Sequence, residues 1–296
     1  MKRKLLIIVM TVALAILIVL SLYLVQGGTI RIRVTTTTSL YATGLLEHLA
    51  YEFTRERDKV VFDFIPVGSG EALKRAARGD ACMVFAHAPS LEAKYLASGD
   101  LVYGRIFAYN YFVIAGPESD PAEVRKAASA VEAFKNIYIA GEEGKAKFVS
   151  RGDNSGTHVK ELSIWSRTGL DPRGKPWYLE VGSGMAQTLI VANEEEAYVF
   201  SDIGTFLKFK KEGKIPRLVV LYTNDTELIN IYSVYLSKHC RGNEREIALA
   251  FIEFIAGEAQ NLVEYYGVNE YGENLFSPAR NKYDWLEEVW RELAER

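Results

Sequence analysis

Four times along this chain a run of apolar or β-branched residues gives way to a short turn of hydroxyl residues and glycine, and the turn opens into a helical pattern. Thr36-Thr37-Thr38-Ser39 follows the run at 30–34, Gly68-Ser69-Gly70 the run at 60–66, Ser155-Gly156-Thr157 the run at 147–150, and Gly182-Ser183-Gly184 the run at 177–181. Alternating strands and helices imply an α/β fold with largely parallel sheets. In open sheets of this kind such turns sit at the carboxyl ends of strands, where ligands bind. Helix capping explains any one of them. Four together offer free backbone N–H groups, the positive ends of helices and neutral hydroxyl donors, a combination suited to a dehydrated oxyanion.

The rest of the chain repeats the grammar. A helix is expected over 40–57, with Leu45, Leu46, Leu49 and Phe53 on one face, then a short strand at 82–86 and an aromatic-rich strand at 102–114. A short helix is expected after Pro117 and Pro121. Later helices are expected at 157–167 (closed by Gly169), 205–211, 244–266 and 283–295, and strands at 197–201, 218–222 and 229–236. No solenoid-type repeat and no low-complexity tract interrupts the pattern.

Ahead of all this, Lys2, Arg3 and Lys4 precede an apolar run at 5–24 that contains no acid or base. At a rise of about 1.5 Å per residue it is long enough to cross a hydrocarbon core of about 30 Å. The basic flank places the N-terminus in the cytoplasm and everything after Gln26 outside. We therefore expect an N-terminal transmembrane helix that anchors an external domain to the cell membrane. The alternative is a cleaved signal and a secreted protein, although signal apolar regions usually run only about 7–15 residues. The 296 residues carry 35 basic and 38 acidic side chains, a formal charge of −3, which argues against a nucleic-acid binder. Two cysteines exclude a disulfide framework and a four-cysteine zinc site. In an oxidising compartment Cys82 and Cys240 either pair or remain two separate buried thiols, and the sequence leaves both open.

Arg151 stands just ahead of the third turn, in Ser150-Arg-Gly-Asp-Asn-Ser-Gly-Thr-His158. One fixed cation among neutral donors offsets part of a dianion's charge, and a guanidinium fork matches the edge of an oxyanion. Asp153 is placed to hold that guanidinium. Enzyme readings fare worse. Asp153, Ser155 and His158 are the parts of a hydrolase triad, but three residues on one turn do not set nucleophile, base and orienting acid in line. There is no Gly-x-Ser-x-Gly elbow, no phosphate loop and no His-x-x-x-His spacing, and Gly182-Ser-Gly184-Met-Ala-Gln187 breaks a dinucleotide fingerprint at its last position. No catalytic residue, cofactor or direct metal ligand is expected.

Taken in order, these segments resemble the tungstate-binding proteins of ABC importers, the TupA type. The matching pieces are Thr36-Thr-Thr-Ser39 with Gly44-Leu-Leu46, Val67-Gly-Ser-Gly-Glu-Ala-Leu73, Arg78-Gly-Asp80 with His87-Ala-Pro89, and Tyr109-Asn-Tyr-Phe-Val-Ile114. They continue through Ser150-Arg-Gly-Asp-Asn-Ser-Gly-Thr-His-Val-Lys-Glu161, Gly184-Met185 with Thr188-Leu189, and Asp202-Ile-Gly-Thr205. Two positions depart from the family: Ala42-Thr43 stands where it usually has Asp-Ser, and Ile203 where it tends to have Arg.

The resemblance implies a class II periplasmic-binding-protein fold, two α/β lobes joined by two crossover strands with the anion between them. The expected division is 1–28 as anchor or signal, 29–113 as the first part of lobe 1, 114–230 as lobe 2, and 231–296 returning to lobe 1. The residues expected to contact a tungstate or molybdate oxyanion are Thr38, Ser39 and Ser69 from one lobe and Arg151, Ser155, Gly156 and Thr157 from the other, with Gly184 and Met185 adding backbone N–H groups. The implied partners are an ABC permease and its cytoplasmic ATPase, the binding protein itself being a monomer. The alternatives are a phosphate or sulfate receptor of the same fold and an anion sensor without transport. Phosphate binders resemble one another in an Ala-Ser-Asp-Ala-Pro stretch, whose acid accepts the proton of hydrogen phosphate. The comparable stretch here is Phe85-Ala-His-Ala-Pro89, with His87 in place of the acid.

Overall fold

The computed structural model describes residues 28–295 apart from positions 58 and 224, together with Ile16. The transmembrane helix expected over 5–24 therefore lies outside the described residues, Ile16 excepted. Among the described residues no helix is long and apolar enough to cross a membrane.

Strand β1 (Ile30–Thr37) leads into α1 (Thr38–Ala42) and α2 (Leu45–Thr54). The single helix expected over 40–57 is two, because Gly44 between them adopts φ +80°, a left-handed conformation that favours glycine. Then come β2 (Val60–Val67), α3 (Ser69–Arg78), β3 (Met83–Ala86) and α4 (Pro89–Ala97). Helix α4 has no counterpart in the sequence reading, although Pro89 in its first turn is a favoured start. The long β4 (Leu101–Pro117) is followed by α5 (Ala130–Glu142), β5 (Phe148–Ser150), α6 (Gly156–Thr168), β6 (Tyr178–Glu180), α7 (Met185–Glu194), β7 (Tyr198–Asp202), α8 (Ile203–Lys211) and β8 (Leu218–Tyr222). The chain ends with β9 (Ile229–Ser237), α9 (Gly242–Ala256), α10 (Gln260–Glu264), α11 (Val268–Tyr271), β10 (Ser277–Pro278) and α12 (Tyr283–Ala294). The helix expected over 244–266 is parted into α9 and α10 at Gly257 (φ −115°, ψ −93°).

The strands pair in the order β2-β1-β3-β9-β4-β7-β5-β6, with β8 and β10 also on β4. Strands β1, β2 and β3 run parallel to one another, as do β5, β6 and β7. Antiparallel β4 joins the two sets. From Leu101 to Tyr111 it pairs with β9, and from Phe112 onward with β7 and then β8. Both faces of this spine are covered: Phe112 and Ile114 enter one core with Phe134, Phe148, Trp165 and Phe200, while Val113 and Ala115 enter another with Leu189, Val199 and Phe206. All nine residues of β9 are buried for the same reason. A strand covered on both faces has no polar side, which is why these segments read as continuous apolar runs. The core of the other half gathers Leu45, Leu46, Leu49 and Phe53 of α2 with Phe85, Phe107 and Phe251.

Cys82 and Cys240 form a disulfide with Cα atoms 4.8 Å apart, which settles the alternative left open by the sequence. It ties the residue before β3 to the segment between β9 and α9.

Candidate functional site

The carboxyl ends of β1, β2 and β3 and those of β5, β6 and β7 converge on the middle of β4, where Phe112 pairs with Asp202 and Asn110 with Asn230. Each end delivers a turn. Thr37 caps α1 by accepting from Leu40 N, so Thr38 and Ser39 open that helix. Gly68 is the cap of α3, which leaves Ser69 as its first residue with a hydroxyl not used as the cap. Ser155 caps α6 by accepting from His158 N, ahead of Gly156 and Thr157. Gly184 caps α7 without a side chain, and Asp202 caps α8 through Thr205 N at 2.8 Å.

Two of these turns touch. Gly156 N donates to Ser69 Oγ at 3.1 Å, across 87 positions of sequence. The approach is tight: a Cβ on Gly156 would stand 2.9 Å from Ser69 Oγ and 3.3 Å from His87 Cε1. Beside this contact lies Arg151, 2% exposed. Its Nε and Nη2 both donate to Asp153 Oδ2, at 3.1 and 2.6 Å, and Asp153 Oδ1 accepts from Ser155 N. Burial works to raise Asp153, but the Arg151 charge and the Ser155 bonds outweigh it and hold the carboxyl below its ordinary range. The loop that makes this pairing possible turns at Gly152, φ +62°. With Nε and Nη2 committed, the Nη1 side of the guanidinium is left for another acceptor.

The expected site residues distribute as follows. Ser69 and Gly156 meet directly, and Arg151, Ser155 and Thr157 are buried next to them on one turn. Thr157 Oγ1 is buried with no hydrogen-bond partner, as is Thr36 Oγ1 at the end of β1. Thr38, Ser39, Gly184 and Met185 line a common cavity of about 190 Å³ with Gly204, Thr205 and Leu275. A second cavity, about 90 Å³, lies on the other side, lined by His87, Gly156, Phe112 and Asn230 among others. His87 stands between the two, its Nε2 3.3 Å from Ser39 Oγ and its ring stacked on Tyr232.

Sequence reasoning missed three residues here. Asp202 is fully buried within electrostatic reach of Arg151; burial raises its carboxyl in spite of the Thr205 bonds and that charge. Asn110 and Asn230 back His87 from β4 and β9. The acid absent at position 87 is thus matched by two acids elsewhere, but both are already engaged, Asp153 by Arg151 and Asp202 by the backbone and hydroxyl of Thr205. The hint for Asp202 in the sequence was its place in Asp202-Ile-Gly-Thr205, a cap-like spacing at a strand end.

Comparison with known proteins gives a consistent picture. Residues 25–259 match the PBP superfamily domain. The chain is 37% identical over 249 residues to the tungstate-binding protein TupA of Peptoclostridium acidaminophilum, covering 82% of this chain and 84% of that protein. In three dimensions it resembles the crystal structure of the tungstate ABC transporter from Geobacter sulfurreducens, with TM-score 0.68 and 39% identity over 78% of this chain and 96% of the other. It also resembles the tungstate-binding protein TupA from Desulfovibrio alaskensis G20, with TM-score 0.72 and 34% identity over 84% of this chain and 98% of that one.

Proposed function

From the premise that this chain belongs to the PBP superfamily, in the TupA family of tungstate-binding proteins, we propose that it captures tungstate outside the cytoplasm and delivers it to an ABC permease. The family is one of solute binding, not catalysis. In this reading the anion lies where the two sets of strand ends meet, between lobes formed by 29–113 with 231–296 and by 114–230. Arg151 supplies the cation and Ser69, Ser155 and Thr157 supply hydroxyls, while Gly156, whose N–H is held by Ser69 Oγ, brings the two turns together at the anion. Thr38, Ser39, Gly184 and Met185 extend the ring of donors along the cavity they share. The apolar run at 5–24 tethers the receptor to the membrane, and an ATPase on the cytoplasmic side drives uptake.

The observation that carries the proposal is the Ser69–Gly156 hydrogen bond, which draws the turn after β2 onto the turn after β5 beside a buried guanidinium. Such a pocket holds charge by fixed dipoles and one paired cation, without needing an electropositive surface. A ring spaced for the large tetrahedron of tungstate or molybdate leaves donors unpaired around sulfate, at about 1–3 kcal/mol each. Calorimetric titration with tungstate, molybdate, sulfate and phosphate at constant pH and salt tests this. Tungstate or molybdate should bind with at least about 100-fold preference over sulfate. Arg151→Ala should weaken tungstate by about one to two decades, since hydrogen bonds to charged groups contribute about 1.5–3 kcal/mol. Sulfate or phosphate displacing tungstate at equal concentration, or unchanged affinity in Arg151→Ala, defeats the assignment.

A further inference from the structure

The hydrogen bonds behind His87 have a fixed polarity that can be followed from one end. Leu275 O, a carbonyl, can only accept, so Asn110 Nδ2 donates to it at 3.1 Å. That turns Asn110 Oδ1 toward Asn230, whose Nδ2 donates to it at 3.1 Å and to Tyr232 OH at 2.7 Å. Asn230 Oδ1 is thereby left facing His87 Nδ1 at 2.9 Å, and a carbonyl oxygen requires a donor there. In the neutral ring, Nδ1 therefore carries the hydrogen and Nε2 is a bare lone pair. Its neighbour at 3.3 Å is Ser39 Oγ, so the hydrogen of Ser39 is spent on the ring and the oxygen's lone pairs are what Ser39 has left to offer.

This arrangement is wrong for a bare dianion and right for an anion that carries a hydroxyl. We infer that His87 is the specificity-determining residue of the site: binding an unprotonated oxyanion takes one proton from solvent onto His87 Nε2, which then donates to Ser39 Oγ and releases the Ser39 hydroxyl hydrogen to the anion. With His87 neutral, the Ser39 lone pairs instead accept the proton of an anion such as hydrogen phosphate. The inference rests on the tungstate reading above and deepens it.

The surroundings fit a proton that arrives only with the anion. Among charged groups, Arg151 faces His87 across the junction, its guanidinium paired with Asp153. Asp202, at the end of β7, acts on both Arg151 and Tyr232. On the α4 side Glu92 is buried and accepts from Ala88 N, and on α6 Lys160 lines the cavity that His87 also lines. Phe112 and Tyr232 pack on the ring from β4 and β9. Burial, opposed by the Asn230 bond and assisted by the Arg151 charge, depresses free His87 to about 4. A bound dianion offsets Arg151 and attracts the imidazolium, which moves the ring the other way.

The test is tungstate calorimetry on the full chain, in buffers of differing ionisation enthalpy, between about pH 6.5 and 8.5, with ¹⁵N NMR of the imidazoles. Tungstate binding should take up about half a proton or more per anion at the acid end of this range. Its Kd should rise by up to about tenfold per pH unit until the ring in the complex is neutral. The free protein should show His87 with hydrogen on Nδ1, and the complex should show it on both nitrogens. His158 is an internal control, since its Nδ1 accepts from Asn154 N and its hydrogen lies on Nε2. His87→Gln, which also assigns the NMR signals, should abolish proton uptake and flatten the pH profile while retaining measurable binding. Tight tungstate binding by the wild-type protein with a neutral His87 and no proton uptake overturns this inference and leaves the tungstate reading intact. No tungstate binding by the wild-type protein at any pH overturns both.

Discussion

The hydroxyl of Thr157 is buried and unpartnered, so at this residue folding and binding make opposite demands. A buried donor left unmade costs about 1–3 kcal/mol, which an isosteric apolar side chain relieves. Thr157→Val should therefore unfold at the same or a higher urea concentration than the wild type, while its tungstate affinity falls by about one to two decades. A loss of stability in step with the loss of affinity would mean that the hydroxyl has a structural partner. Much of the candidate site's geometry is readable because its chemistry is local: Ser69, Ser155, Gly156 and Thr157 announce themselves as hydroxyls and glycines at strand ends, and Arg151 pairs with an acid two positions away. Asp202, Asn110 and Asn230 were not readable in the same way. Their roles come from register, Phe112 opposite Asp202 and Asn110 opposite Asn230, between strands as much as 120 positions apart.

At the scale of single elements, α6 carries a second burden besides its exposed N-terminal amides. Glu161, in its second turn, is buried and accepts from Ser150 on β5, from Tyr178 on β6 and from Trp165 on the helix itself. Burial, only partly opposed by the bonds from Tyr178, Ser150 and Trp165, lifts its carboxyl from 4.5 to about 7. The folded state thus holds this proton more tightly than the unfolded chain. The stabilisation is fully present below about pH 4 and is lost as pH rises toward 7, by on the order of 3 kcal/mol. Thermal unfolding followed across that interval should show the decline in the wild type and a flatter profile in Glu161→Gln, whose amide can still accept from Tyr178 and Trp165. Equal slopes in the two proteins would assign the pH dependence to other groups. The helix itself was legible, with a Ser155 cap at one end and Gly169 at the other; the burial of Glu161 was not, because two of its three donors come from strands that only the sheet brings together. Strands β5 and β7 are visible as apolar runs, while the breaks at Gly44, in the left-handed region, and at Gly257, at φ −115° and ψ −93°, fall inside stretches whose apolar spacing continues a helix. Helix α4 is hard to detect because the residue it buries is the acid Glu92, which leaves little apolar periodicity.

For the whole molecule, the disulfide is the feature that sequence left undecided and the fold resolves. Cys82 and Cys240 are 158 positions apart, and the bond lies beside the antiparallel pairing of β3 with β9. Closing so long a loop restricts the unfolded chain, with a typical gain of about 2–4 kcal/mol. Replacing both cysteines by alanine should lower the unfolding free energy by about that amount in urea titration, and reductant should do the same to the wild type while leaving the double variant unchanged. Indifference of the wild type to reductant under conditions that cleave the bond would remove the disulfide from the stability account. The architecture as a whole was legible because alternating strands and helices admit few arrangements. The shared β4 was visible only as one long aromatic strand, since a change of partners at Phe112 leaves no mark in its own residues. The loop closed by the disulfide also contains every residue of β4 through β8, including Arg151 and its turn. A protease that cuts once anywhere inside it, at an exposed tip such as the turn near Gly174, produces two peptides that remain one covalent molecule. Digested samples should then run as a single intact band without reductant and as two fragments with it, and the nicked protein should not shed the half that carries Arg151.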